Sequence, residues 1–138
     1  TDAGLAPVNT VRDLAWLNLR QTGITDRGLV AVEELRNLRW LNLKWTKITD
    51  DGLAHLSGLS GLTELYLPKQ ITDAGLEHLA PLTGLSKLNL KYSKVTDAGV
   101  AHFHGLEKLT QLKLPVTVSG KAVNELRRTA PNCKVVRY

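Results

Sequence analysis

The tetrad Thr-Asp-x-Gly returns along this chain at an almost constant interval. Thr25-Asp26, Thr49-Asp50, Thr72-Asp73 and Thr96-Asp97 stand 24, 23 and 24 residues apart, Thr1-Asp2 sits one period upstream, and Val118-Ser119 marks a degenerate copy downstream. A chain that repeats itself every ~20–29 residues builds one small unit again and again. Neighbouring units stack because none can bury its apolar face alone. The expected product is a solenoid, a scaffold that presents a surface.

One full unit reads Leu85-x-x-Leu88-x-Leu90-x-x-Ser93-x-Val95-Thr96-Asp97-x-Gly99-Val100-x-x-Phe103-x-x-Leu106. Leu88-Asn89-Leu90-Lys91 alternates apolar and polar, which is strand periodicity with the leucines facing inward. After Asp97 the spacing becomes three, through Val100, Phe103 and Leu106, which predicts a short helical turn with one apolar stripe. Thr96 or Asp97 is placed to cap it, because either side-chain oxygen can accept a free first-turn N–H. A strand, a turn and a short helix in one period can repeat only with parallel strands and all helices on one side. Strands are expected at Leu14–Leu19, Leu38–Leu43, Leu62–Leu67, Leu85–Leu90 and Leu109–Leu114, with a last one in Lys134–Tyr138. Two units are one residue short, at Pro68-Lys69-Gln70-Ile71 and Pro115-Val116-Thr117-Val118. Each carries proline where its strand ends, and tighter turns are expected there.

The pattern Leu-x-x-Leu-x-Leu-x-x-Thr-x-Ile-Thr-Asp-x-Gly-Leu-x-x-Leu resembles leucine-rich repeats. More narrowly it is similar to the ribonuclease-inhibitor-like subclass carrying Thr-Asp-x-Gly-Leu, found in large bacterial repeat proteins and in F-box-type substrate receptors. The resemblance covers residues 1 to about 136. It implies an α/β solenoid of about six 23–24-residue repeats, with a parallel sheet on the concave face and short helices on the convex face.

The bulk numbers agree with one such domain over residues 1–138. Hydrophobic residues make up 43% of the chain, with one Phe and no Met, so the core is a leucine and valine core. No apolar run approaches the ~18 residues of a membrane span, and no basic-then-apolar leader opens the chain. A single cysteine, Cys133, excludes an internal disulfide. Thr1 enters in the middle of a unit, and the chain reads as the C-terminal piece of a longer protein.

Leucines are committed to the core, so recognition is expected from the variable strand positions between them. Twenty such positions hold five of the seven aromatic residues, among them all three Trp, and carry six basic residues against one acid. The rest of the chain is balanced, so the formal net charge of +5 gathers on this face. The candidate binding residues are Trp16, Asn18, Arg20, Trp40, Asn42, Lys44, Trp45, Tyr66, Lys87, Asn89, Lys91, Tyr92 and Lys113. Strands ~4.8 Å apart should bring Trp16 and Trp40 into a stack and Asn18 and Asn42 into a row. Exposed aromatics of this kind are enriched where partners bind. The plainer alternative is a face that is polar and strand-favouring for folding reasons alone.

Two further columns invite functional readings. His55, His78 and His102 share one position on the helices, but helices ~8–10 Å apart keep them too distant for one zinc ion. Asp2, Asp26, Asp50, Asp73 and Asp97 could suggest calcium, yet capping and turn bonding is the commoner use of Thr-Asp at a helix start. Cys133 lies in Pro131-Asn132-Cys133-Lys134 with no His or Asp beside it and reads as a small buried hydrophobe. There is no phosphate-binding glycine loop, no Cys-x-x-Cys and no serine elbow.

A non-enzymatic recognition module is therefore expected, without cofactor, metal or membrane span, binding a protein or peptide with acidic groups. The alternative implied by the resemblance is a substrate-receptor arm of a ubiquitin ligase or bacterial effector whose catalytic or adaptor part lies outside this chain. Nucleic acid is the weaker partner class.

Overall fold

The structure is a computed structural model that describes all residues 1–138. Six strands, β1 (Trp16–Asn18), β2 (Trp40–Asn42), β3 (Glu64–Tyr66), β4 (Lys87–Asn89), β5 (Gln111–Leu114) and β6 (Lys134–Arg137), form one open parallel sheet in chain order. The register stacks like on like: Leu17, Leu41, Leu65, Leu88, Leu112 and Val135 are successive partners across the sheet. Because side chains alternate along a strand, these point together to the helical side. There they join one continuous core of 36 buried residues. Leu14 and Leu17 stay partly exposed, since no strand lies on the far side of β1.

The strands are shorter than the predicted six-residue spans. Only three residues pair regularly in β1 to β4, and the leucine that opens each span closes a preceding turn instead. Leu38 N–H, for example, donates to Leu35 O at 2.9 Å.

The return segments are the short α-helices α1 (Asp2–Leu5), α2 (Asp26–Leu29), α3 (Asp73–Leu76) and α4 (Asp97–Val100), each tightening into a 3₁₀ turn. The third unit uses a 3₁₀ segment alone, Asp51–Leu56, and the last ends in a longer helix, α5 (Gly120–Thr129). None is long and apolar enough to cross a membrane.

The Asp column binds the units together, which corrects the expectation that Asp caps its own helix. Asp26 Oδ1 accepts the Thr49 N–H at 2.8 Å, and its Oδ2 accepts the Thr49 hydroxyl at 2.6 Å. The same pair of bonds joins Asp2 to Thr25, Asp50 to Thr72, Asp73 to Thr96 and Asp97 to Ser119. Capping, where it occurs, falls to the hydroxyl residue: Thr72, Thr96 and Ser119 accept from the Ala74, Ala98 and Ala122 N–H groups at 3.3, 3.4 and 3.2 Å, while Thr25 makes no such bond. The glycine of the tetrad belongs to this arrangement. A Cβ at Gly52, Gly75 or Gly99 would overlap the aspartate Oδ1 of the preceding unit.

The two shortened units keep their turn carbonyls bonded by substituting side chains for backbone. In full-length units the Lys47 and Lys94 N–H groups donate to Ile24 O and Ile71 O at 3.0 and 2.8 Å. In the short ones Gln70 Nε2 donates to Ile48 O and Thr117 Oγ1 to Val95 O, each at 2.5 Å. At the closing unit the equivalent carbonyl, Val118 O, accepts from Arg137 Nη1 at 3.0 Å.

Candidate functional site

The strand face is ordered in rows, because the register aligns equivalent positions of all six units. The first row runs Trp16, Trp40, Glu64, Lys87, Gln111, Lys134, and the second Asn18, Asn42, Tyr66, Asn89, Lys113, Val136. A third, just beyond the strands, holds Arg20, Lys44, Pro68, Lys91, Pro115 and Tyr138.

One end of the face is aromatic. Trp16 and Trp40 stack with ring centroids 4.3 Å apart and planes 13° apart, and Tyr66 follows at 5.3 Å, tilted by 47°. Trp16 remains 55% exposed. An indole left this open on a sheet loses hydrophobic burial without evident gain to folding, and such rings serve as anchors when a partner covers them.

The middle is neutralised. Lys87 Nζ bonds Glu64 Oε1 at 2.8 Å, and the Tyr66 hydroxyl donates to Glu64 Oε2 at 3.2 Å. The bond to Glu64 holds Lys87 above the usual lysine range. Burial, with the Glu64 charge behind it, pushes Tyr66 up as well. Lys87, expected as an available cation, is thus engaged within the face.

The other end is a shallow hollow of about 440 Å³ bordered by Arg20, Lys44, Lys91 and Lys113. None of these four meets a carboxylate; the ion pairs of the chain are Arg36–Glu34, His55–Glu33 and Lys87–Glu64. Their neighbours are rings. Lys44 Nζ lies 5.8 Å from the Tyr66 centroid and 6.0 Å from that of Tyr92, while Lys91 Nζ lies 4.8 Å from Tyr92 and 4.1 Å from Tyr138. Burial, then the charges of Lys113, Lys91 and Arg20, draws Lys44 below the ordinary lysine range. The neighbouring Lys91 ammonium draws Tyr92 below the ordinary tyrosine value.

Trp45 and Tyr92 form the rim, with centroids 6.0 Å apart and side chains 48% and 54% exposed. The Trp45 backbone sits at φ 61°, as Gln21 does at 59° in the equivalent position. That region costs a bulky residue about 1–3 kcal/mol, and its recurrence at Gln21 ties it to the turn that follows the strand.

The asparagine row is placed as expected but is not simply open. Asn42 and Asn89 are buried, at 8% and 6% exposure. The Oδ1 atoms of Asn18, Asn42 and Asn89 accept the N–H two residues on, from Arg20, Lys44 and Lys91, at 3.1, 3.1 and 3.2 Å. Each amide therefore shapes the strand exit, as short polar side chains do in turns.

Tyr138 belongs to this face and escaped the sequence reading. The pairing of Leu114 with Arg137 puts it opposite Pro115, in the cationic row. The signal was present in the Lys134–Tyr138 strand, whose outward residues extend the same rows.

His55 and the column aspartates are engaged locally. His55 Nδ1 contacts the Glu33 carboxylate of the preceding unit, and both oxygens of each column aspartate accept from the next unit. Cys133 is buried in the core, and that burial pushes its thiol up.

A family model described as a leucine-rich repeat matches residues 34–57, and no curated protein matches the chain. Among solved structures, the chain is similar to an internalin (inlF) of Listeria monocytogenes, with a TM-score of 0.77 and 22% identity over 94% of this chain. It also resembles an internalin C2 of the same organism, with a TM-score of 0.67, 25% identity, and coverage of 95% of this chain and 74% of that one. A leucine-rich-repeat protein of Leptospira interrogans gives 0.60 and 21% over 94% of this chain. The chain spans 36% of the length of the first of these and 38% of the third. The fold is a leucine-rich-repeat α/β solenoid. Such repeats generally serve as protein-interaction modules.

Proposed function

We propose that this chain is a non-enzymatic recognition module whose strand face binds a protein or peptide carrying acidic groups. The observation that carries this reading is the pairing of two unsatisfied features on one surface. An exposed aromatic strip over β1 to β3 adjoins four cations with no carboxylate partner. Trp16 is left exposed beside the half-buried Trp40 and Tyr66, and like charges are gathered rather than dispersed. A partner that covers the rings and supplies acid satisfies both, and complementary charge would also speed and orient its approach.

The test is a partner recovered on the immobilised chain and then titrated directly. The double substitution Trp40→Ala/Lys44→Ala should weaken binding by at least about 30-fold, since truncating one anchor residue costs ~2 kcal/mol or more. Thermal unfolding confirms that the variant is folded. Unchanged affinity in a folded double variant refutes the reading.

A further inference from the structure

The floor of the basic hollow holds two buried amides whose chemistry is already half assigned. Because Oδ1 of Asn42 and of Asn89 accepts a backbone N–H, the other terminal atom of each must be the NH₂ group. Neither NH₂ donates to any group of the protein, yet no buried side-chain nitrogen is sealed off without a partner. Each NH₂ therefore keeps access to solvent, and both residues line the hollow. Around them stand Lys44, Lys91 and Lys113, donors without acceptor capacity. The hollow is thus lined chiefly by hydrogen-bond donors.

In the third row the long side chains of Lys44 and Lys91 flank Pro68, and Pro115 follows, both prolines being buried. The Tyr92 ring approaches both lysines, 6.0 Å from Lys44 Nζ and 4.8 Å from Lys91 Nζ, and the hollow is lined by Asn42, Asn89, the cations and the rings rather than by the prolines. A ligand group entering there meets amide donors below and ammonium groups at the sides.

We propose that this hollow is an oxyanion pocket for a phosphorylated side chain of the partner, Asn42 and Asn89 donating from its floor and Lys44, Lys91 and Lys113 from its walls. This rests on the strand face being the recognition surface. A carboxylate brings one charge and two oxygens, whereas a phosphoryl group brings about −1.5 to −2 and three strong acceptors, nearer to what the donors supply. A nucleic-acid backbone fits less well. It needs cations along a track, and here they surround one hollow. The Trp16–Trp40 stack, closed at 4.3 Å, also leaves no slot for a base between its rings.

The test titrates the isotopically labelled chain with a phosphoserine peptide flanked by glycines, its glutamate counterpart, and a short single-stranded oligonucleotide. The phosphoserine peptide should bind about tenfold or more tightly than the glutamate one, moving the side-chain NH₂ signals of Asn42 and Asn89. Asn89→Asp keeps the acceptor for the Lys91 N–H while removing the donor, and should abolish that preference, as should Lys44→Gln/Lys91→Gln. Gln111→Glu adds the same charge outside the hollow and should preserve it.

Equal binding of the two peptides, tighter binding of the oligonucleotide, shifts spread over all lysines, or an unaffected Asn89→Asp variant each overturn the pocket. If those occur while a partner still depends on Trp40, only the pocket fails. If phosphoserine preference persists and Trp40 is irrelevant to the partner, only the wider reading fails.

Discussion

Asp50 accepts two hydrogen bonds from Thr72, 2.9 Å from its N–H and 2.5 Å from its hydroxyl, across 22 residues of chain. The contact fixes how one repeat sits on the next, and Gly75 makes room for it, since a Cβ there would overlap Asp50 Oδ1. In an ordinary helix Gly→Ala stabilises by about 0.8–1 kcal/mol. Here Gly75→Ala should instead destabilise by roughly 1–3 kcal/mol, the range for forced overpacking. Asp50→Ala should cost stability alone but make the second change milder, leaving only Leu53 Cδ1 at 3.1 Å from the new Cβ, so a denaturant double-mutant cycle should show strong coupling. Additive effects would remove the link between the two residues.

The bracket also sets an acid limit. The hydroxyl and N–H of Ser119 hold Asp97 below its ordinary value of 3.8, and Thr25 does the same for Asp2. A carboxyl whose folded pKa is depressed contributes stability that is present above its unfolded value and is lost as pH falls through the folded one. Melting temperature should therefore be insensitive to these groups above about pH 5 and fall below about pH 4. Asp97→Asn should be less stable at neutral pH and show a shallower acid decline. An unchanged acid profile would contradict the assignment.

Gln70 stands in for a missing backbone donor. Its Nε2 bonds both Thr46 O and Ile48 O. Gln70→Ala should lower stability by about 1–3 kcal/mol, the cost of leaving a partly buried acceptor unsatisfied. Lys47→Ala, where the equivalent bond comes from the main chain, should be near neutral. Equal effects in urea unfolding would show that the substitution of side chain for backbone carries no weight.

Lys44 is expected to oppose folding in the free protein. It is partly buried and faces Lys113, Lys91 and Arg20 without a carboxylate. Lys44→Gln should raise the melting temperature at neutral pH, and added salt should narrow the difference by screening the repulsion. Sites that bind commonly give up stability in this way. A lower melting temperature for the variant would mean that Lys44 serves the scaffold.

The Thr-Asp-x-Gly period was enough to read the fold, because a repeated unit admits few ways to stack and its leucines select one face. It also placed Trp16 over Trp40 before any geometry was known. What it concealed was the role of each aspartate, since a bracket to the next repeat and a cap on its own helix use the same two residue types. Asn42 and Asn89 were read as outward for a similar reason: alternation gives direction but not which atoms are already bonded. Tyr138 was overlooked because the closing strand lacks the leucine signature, and its register is visible only through Leu114 and Arg137.

The claim that the strand face is the recognition surface is tested most directly by the footprint of a bound partner on the labelled chain. The indole signals of Trp16, Trp40 and Trp45 and the ring signals of Tyr92 and Tyr138 should shift on saturation, while those of His78 and His102 on the helical side should not. A footprint centred on the helices, with the three indoles unmoved, would contradict it.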